Sequence, residues 1–255
     1  MIELGPGYCP APGLAAHCNP TWCLNSSSVC PYGFMLPGQV TVPTNAGVID
    51  YIAVVYGFVP IFVLVFIVLG VPVSVKHRKH WLSYALMELM LVLLNELFIK
   101  KILKIPRPGA SGLLTNDLGQ HVGSCIVSCG MPSSHSLVSM SLLVLLVCDA
   151  AYRVSDIGGK FVVKLLPEGS FTHGQFLNYS IFWSVVLSPV PISRVILYDH
   201  TVEEVLAGTI LGCVFGPAWF YAMRAWGTSL DLTEKKRPSS SSDVSSDDEI
   251  GMSLR

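Results

Sequence analysis

Charged side chains are scarce in this 255-residue chain: they make up 13% of it, while 51% of residues are hydrophobic. A soluble domain carries about a quarter charged residues, so an ordinary water-soluble fold is excluded. There is no basic excess either, the formal net charge being -1. A nucleic-acid-binding module, which needs a basic face on a soluble domain, is therefore excluded as well. Strand-like alternation is missing from the apolar runs, which argues against a membrane barrel. The opening "MIELGPGYCP" lacks the positive start and apolar core of a secretory signal. Long repeats are absent, as is any acidic cluster suited to a metal, so no cofactor is expected.

What the chain does have is apolar length. A bilayer crossing takes roughly 20 apolar residues as a helix. Residues 51–73 supply one with no charge at all, and further runs cover about 81–99, 136–152, 176–197 and 205–223. Pro189 and Pro191 loosen the bounds of the fourth. The expected class is all-α: a polytopic membrane helix bundle with about five transmembrane helices.

The flanks orient it. Residues 1–49 contain no Lys or Arg but hold Cys9, Cys18, Cys23, Cys30 and a glycosylation sequon at Asn25. Four cysteines among prolines and glycines read as a small disulfide-stapled segment outside the cytosol. "KHRKH" at 76–80, the basic residues Arg153, Lys160 and Lys164, and Arg224 with 235–237 then fall on the cytosolic side. This gives a luminal Cys-rich segment over 1–49, a transmembrane core over 50–226, and a Ser- and acid-rich disordered cytosolic tail over 227–255. On this orientation Asn25 is open to glycosylation and Asn178 is not. One loop objects: Lys100, Lys101, Lys104 and Arg107 put four positive charges on the luminal side.

Those charges open the first of three polar clusters. In "KKILKIPRP" Lys100 and Arg107 are seven apart, so a persisting helix puts them on nearly one face, with Lys104 between them. Cations grouped without carboxylates repel one another unless an anion joins them. The second cluster is "CGMPSSHS", residues 129–136. Pro132 suits a first helical turn, whose free N–H groups attract anions. Ser133 adds a hydroxyl and His135 points to the same space. Taken alone, this stretch reads as a helix cap with an incidental histidine. The third is "SRVILYDHTVEE", residues 193–204, where Arg194 and His200 precede the last span. His200 and Glu204 are four apart, so a carboxylate can hold one ring nitrogen and leave the other nucleophilic. Asp199 and Glu203 are rival partners, and the spacing favours Glu204. All three clusters lie on one membrane face, where they amount to a phosphate site with an acid and a nucleophile.

These residues resemble the type 2 phosphatidic acid phosphatases, a superfamily shared with vanadium haloperoxidases. Its motifs Lys-x6-Arg-Pro, Pro-Ser-Gly-His and Ser-Arg-x5-His-x3-Asp are met by Lys100–Arg107–Pro108, by Pro132–Ser133–Ser134–His135, and by Ser193–Arg194–His200–Glu204. The resemblance covers roughly residues 50–223. Ser134 stands where the family has glycine, and Glu204 where it has aspartate. Within the superfamily the chain is most similar to the dolichyl diphosphatases, through "GMPSSHS" and "SRVILYDHT".

The resemblance implies a metal-independent enzyme of the endoplasmic reticulum membrane whose site faces the lumen. It would release phosphate from a lipid diphosphate and recycle the carrier for protein glycosylation. It also implies His200 as nucleophile through a phosphohistidine, Glu204 orienting it, and His135 as acid and then base. Lys100, Arg107, Arg194, Ser133 and the Ser134 amide would bind phosphate. The implied partners are the lipid diphosphate substrate and membrane lipids. The alternative is a phosphatase of phosphatidate or sphingoid phosphates. Cys125 and Cys129 pair with each other, pair with the N-terminal segment, or stay reduced. Glu96 is set to pair with Lys100, Glu88 needs a partner, and Gly208, Gly212 and Gly216 mark close helix packing.

Overall fold

The computed structural model describes residues 18, 20–24, 30–73, 78–112, 114–116, 119–154 and 171–235. Cys9, the Asn25 sequon and the tail from residue 236 lie outside the described residues. Five of its helical segments are long and apolar enough to cross a membrane: Val48–Pro72, Trp81–Leu103, Ser134–Tyr152, His173–Ile196 and Val202–Ala225. The protein is a multi-pass membrane helix bundle.

The N-terminal part is small and extended. A single turn, α1 (Thr21–Leu24), precedes an antiparallel hairpin of β1 (Gly33–Leu36) and β2 (Val40–Pro43). The long α2 (Val48–Val73) then leaves the hairpin end of the molecule. It returns through α3 (Arg78–Leu94), a π-helical turn (Asn95–Ile99) and the short α4 (Lys100–Leu103). A second small hairpin, β3 (Leu114–Thr115) with β4 (His121–Val122), sits in the loop before α5 (Ser134–Tyr152). The fourth crossing is broken into α6 (His173–Leu187) and α7 (Pro189–Ile196). Pro189 causes the break, because it has no N–H and its ring crowds the carbonyl four residues earlier. The last helix, α8 (Val202–Lys235), continues past the expected core boundary at 226.

The bundle is organised around α5 and α8, which share the most extensive interface. The reason is the glycine row. A Cβ on Gly208, Gly212 or Gly216 would lie 2.5, 2.6 and 2.7 Å from the carbonyl oxygens of Ser133, Leu137 and Ser141. Only glycine lets the two backbones approach this closely, the device expected where lipid supplies no hydrophobic drive for helix association. Around this seam Tyr84, Met87, Leu91, Leu142, Leu145, Tyr179 and Leu187 form the main core. The outer faces of α2, α3, α6 and α8 present bare apolar side chains such as Phe66, Leu89, Ile181 and Ile210. Glu88 is fully buried in the core, and neither of its carboxyl oxygens has a hydrogen-bond partner among the described residues. Nothing in the structure explains it.

Two of the N-terminal cysteines, Cys18 and Cys30, are bridged outside their own segment. Cys18 bonds Cys129 and Cys30 bonds Cys125. Both bridges therefore tie the N-terminal segment to the loop that leads into α5, one of the three arrangements the sequence left open for Cys125 and Cys129. The side chain of Cys23 lies outside the description.

Candidate active site

Four chain ends meet at one pole of the bundle: the exits of α4 and α7 and the starts of α5 and α8. Each is shaped by local rules that place a polar side chain inward.

At the first exit the helix does not persist from Lys100 to Arg107, which corrects the sequence expectation. It stops at Leu103, and Lys104 adopts a left-handed conformation with φ 50°. Pro106 and Pro108 keep the following residues from resuming a helix. Lys104 is consequently turned out and exposed, whereas Lys100 and Arg107 are 3% and 4% exposed. The Lys100 ammonium meets Glu96 Oε1 at 2.5 Å. Arg107 is held by its Nε and Nη2 on Ser128, at 3.1 Å from the carbonyl and 3.0 Å from the hydroxyl. Its Nη1 donates to the Asp199 carbonyl at 2.9 Å and lies 2.8 Å from His200 Nε2.

At the start of α5 the N-cap is Ser133, so Pro132 lies one residue outside the helix and not in its first turn. The Ser133 hydroxyl accepts from the Ser136 N–H and hydroxyl, at 3.5 and 3.1 Å, and the residue is fully buried. Capping thus occupies the oxygen that the sequence offered to phosphate. The first-turn amides, including that of Ser134, remain without intrahelical partners. The Ser134 side chain is turned aside, donating to Glu96 Oε1 at 2.5 Å. His135 is partly exposed and hydrogen-bonds the backbone of Gly38 at the hairpin turn, within electrostatic reach of Arg194, Arg107 and Lys100.

The α7–α8 junction supplies the rest. Thr201 and Glu204 form a reciprocal cap: Glu204 N donates to Thr201 Oγ1 and Thr201 N to Glu204 Oε2, both at 3.3 Å. This Thr-x-x-Glu signature starts α8 and fixes the carboxylate in place. The same Oε2 lies 2.7 Å from His200 Nδ1. Glutamate is longer than the aspartate of the motif, and Gly130 supplies the room: a Cβ there would sit 2.3 Å from Glu204 Oε1. With Glu204 taking the Nδ1 proton, the lone pair of His200 is on Nε2. Burial, then the charges of Arg107, Arg194 and Lys100, push the His200 pKa well below 6.5. Burial likewise lowers Arg107, to about 10, leaving it cationic at neutral pH.

Arg194 is fully buried at the end of α7. One terminal nitrogen, Nη2, bonds Asp199 Oδ2 at 2.9 Å and the Gln39 carbonyl at 2.5 Å. Its Nε and Nη1 have no partner among the described residues. Two unmatched guanidinium donors, beside a neutral imidazole and two further cations, suit an oxyanion that would satisfy them.

Asp199 has a role that sequence reasoning, which weighed it only as a rival to the favoured Glu204, did not find. It is not a rival for His200. Its carboxylate accepts from Arg194, from Thr41 N at 3.1 Å and Thr41 Oγ1, and from Ser124 Oγ at 3.2 Å. It ties the β1–β2 hairpin and the disulfide-bonded loop to the site. Thr41, Ser124, Ser128 and Gln39 carried no signal, because their partners are far away in sequence.

Among the described residues no three of His, Cys, Asp and Glu converge as metal ligands. Comparisons with curated proteins and with solved structures give no match. A model of the PAP2 superfamily, whose members are phosphatases, matches residues 80–227. That span is more than half the chain and runs from the first turn of α3 into α8 with every converging residue except those of the hairpin, and the chain accordingly belongs to the PAP2 superfamily.

Proposed function

We propose that the protein hydrolyses a lipid diphosphate, of the dolichyl or polyprenyl type, to the lipid monophosphate and phosphate. The observation that carries this reading is the His200 imidazole held between Glu204 and Arg107, next to the unmatched donors of Arg194. His200 Nε2 attacks the terminal phosphorus as the bond to the bridging oxygen breaks. His135, which takes up a proton when the negative charge of the bound substrate offsets Arg194, Arg107 and Lys100, gives that proton to the oxygen. Water then attacks the phosphohistidine, His135 takes the water's proton, and the N–P bond breaks to release phosphate. Glu204 stabilises the charge that develops on His200. Lys100, Arg107, Arg194 and the first-turn amides of α5 hold the phosphoryl oxygens, where fixed donors matter most. Ser133 serves by holding that helix start in place.

The diphosphate preference rests on the resemblance of "GMPSSHS" and "SRVILYDHT" to the dolichyl diphosphatases. The two disulfides lie at the pole that carries the site, which fits an oxidising compartment and so supports an endoplasmic reticulum membrane with the site toward the lumen. The four positive charges that objected to this orientation include two buried site residues, Lys100 and Arg107. The Cys-rich segment 1–49 is then luminal, 50–226 is the phosphatase core, and 227–255 is cytosolic.

The test is phosphate release by the purified protein from dolichyl diphosphate, dolichyl monophosphate and phosphatidate. The diphosphate is expected to turn over fastest, and His200→Ala to fall to background. Faster turnover of phosphatidate would replace the substrate assignment, and equal release by His200→Ala would end the enzyme reading. A pH profile adds a second check. His200 must be neutral to attack, and its folded pKa is depressed. Activity therefore holds through pH 6.5 on the acid side and falls only as pH drops further, through that lower value. An acid limb of kcat/KM with its midpoint at 6.5 or above would contradict this electrostatic picture.

A further inference from the structure

The substitution of serine for the family's glycine at position 134 has a structural counterpart on another helix, directly before Lys100: the π-helical turn Asn95–Ile99. Such turns insert one residue and rotate the face that follows, and they recur at functional sites. Here the turn aims Asn95 and Glu96 at the start of α5. Asn95 Nδ2 donates to the Pro132 carbonyl at 3.2 Å and to Ser134 Oγ at 2.8 Å. Ser134 Oγ in turn lies 2.5 Å from Glu96 Oε1, and Lys100 Nζ lies 2.5 Å from the same oxygen.

The direction of every bond is fixed by chemistry. An amide nitrogen and an ammonium only donate, so the serine accepts from Asn95 and must give its single proton to Glu96. The chain therefore reads Asn95 to Ser134 to Glu96, with Lys100 donating to Glu96 from the other side. Glycine at 134 could not take part. Lys100 is 4% exposed in its side chain and has no second ion-pair partner among the described residues. Arg107 stands nearby with the same charge. Without Glu96 the ammonium would be repelled from the cluster. With it, one of three ammonium protons is fixed and the other two are left for phosphate.

We propose that Glu96 and Ser134 form a positioning pair that holds the Lys100 ammonium in place for the phosphoryl group, so that the serine at 134 serves phosphate binding through its side chain as well as its amide. The inference rests on the phosphatase reading for its role in turnover. The pair itself is tested by affinity for inorganic phosphate.

Inorganic phosphate would be titrated against the full-length protein by thermal shift, and as an inhibitor of lipid diphosphate turnover. Glu96→Gln is expected to weaken phosphate on the order of 100-fold, because without this acceptor the Lys100 ammonium, one charged donor, is no longer held at the site. Ser134→Ala is expected to weaken it about 10-fold, the usual scale of one hydrogen bond to a charged group. In both, KM rises more than kcat falls. Ser134→Thr, which keeps a hydroxyl, restores most of the loss. Because serine acts through Glu96, the double variant is expected to match Glu96→Gln alone. Multiplicative losses in the double variant, or phosphate affinity within twofold of wild type in Ser134→Ala, overturn the proposal. If Glu96→Gln does not fold, the contrast between Ser134→Ala and Ser134→Thr decides it: equal weakening in both is against the hydroxyl's role. If the wild type binds phosphate in this pattern but hydrolyses no lipid, the positioning pair stands and the phosphatase reading falls.

Discussion

α2 and α5 cross the same bilayer in opposite ways. Over their most apolar stretch α5 is 61% buried inside the protein and α2 only 22%. α2 carries no charge after Asp50, and its bare residues, among them Phe62, Val65, Phe66 and Leu69, face lipid. α5 buries Ser136, Ser139, Ser141 and Asp149. Two of those serines return their hydroxyls to their own helix, Ser139 to the Ser136 carbonyl at 3.3 Å and Ser141 to the Val138 carbonyl at 2.9 Å. A polar helix survives in a membrane when other helices, not lipid, surround it and its polar groups are paired. Of these two helices the more apolar one has the greater lipid contact, and the less apolar one brings His135 to the site.

The comparison is broken most sharply at the α5–α8 seam. Gly212→Ala would place a Cβ 2.6 Å from the Leu137 carbonyl and 2.9 Å from the Ser141 nitrogen. Backbone atoms cannot rotate away, so the helices must separate, at about 1–3 kcal/mol for overpacking. The seam also carries the bond from Ser133 N to the Glu204 carbonyl at 3.0 Å, which joins the two halves of the site. Both melting temperature and phosphate release are expected to drop. An unchanged melting temperature would show that the close approach is not needed.

The number and bounds of the crossings were legible because lipid imposes length and apolarity on each helix separately. The glycine row and the His200–Glu204 pair were legible because helical spacing alone relates their members. The local stop after Leu103 was misjudged, although Pro106 signalled it: the seven-residue spacing of Lys100 and Arg107 suggested a continuous face, and both do reach the site, but around a left-handed turn that leaves Lys104 outside. The role of Asp199 and the hairpin contacts at Gly38, Gln39 and Thr41 were not legible at all. Apart from the bonds of Asp199 to Arg194 and Ser124, they join residues more than ninety positions apart through backbone atoms or a single carboxylate, and no periodicity reports such contacts. Ser134 was noticed as a departure, but its partner lies on another helix whose π turn has no plain sequence signature.

Among the α2 positions that face the protein, Gly57 sharpens the contrast. A Cβ on Gly57 would lie 3.1 Å from Val40 and 3.3 Å from Arg194 Nη1. Those contacts are tight by a few tenths of an ångström, and the neighbours are side-chain atoms that can yield. Gly57→Ala is therefore expected to change stability by less than about 1 kcal/mol. The atom that yields matters, however. Arg194 Nη1 is one of the two unmatched donors, and misplacing a binding group by about 1 Å can cost 100-fold in rate. A shift of a few tenths should reduce kcat/KM by roughly 3- to 10-fold. Val65→Ala, at a site half exposed to lipid, is the control and is expected to leave both quantities unchanged. If Gly57→Ala behaves like Val65→Ala, α2 is only a lipid-facing support. If it loses rate without losing stability, even the helix most given over to lipid sets the position of a phosphate ligand.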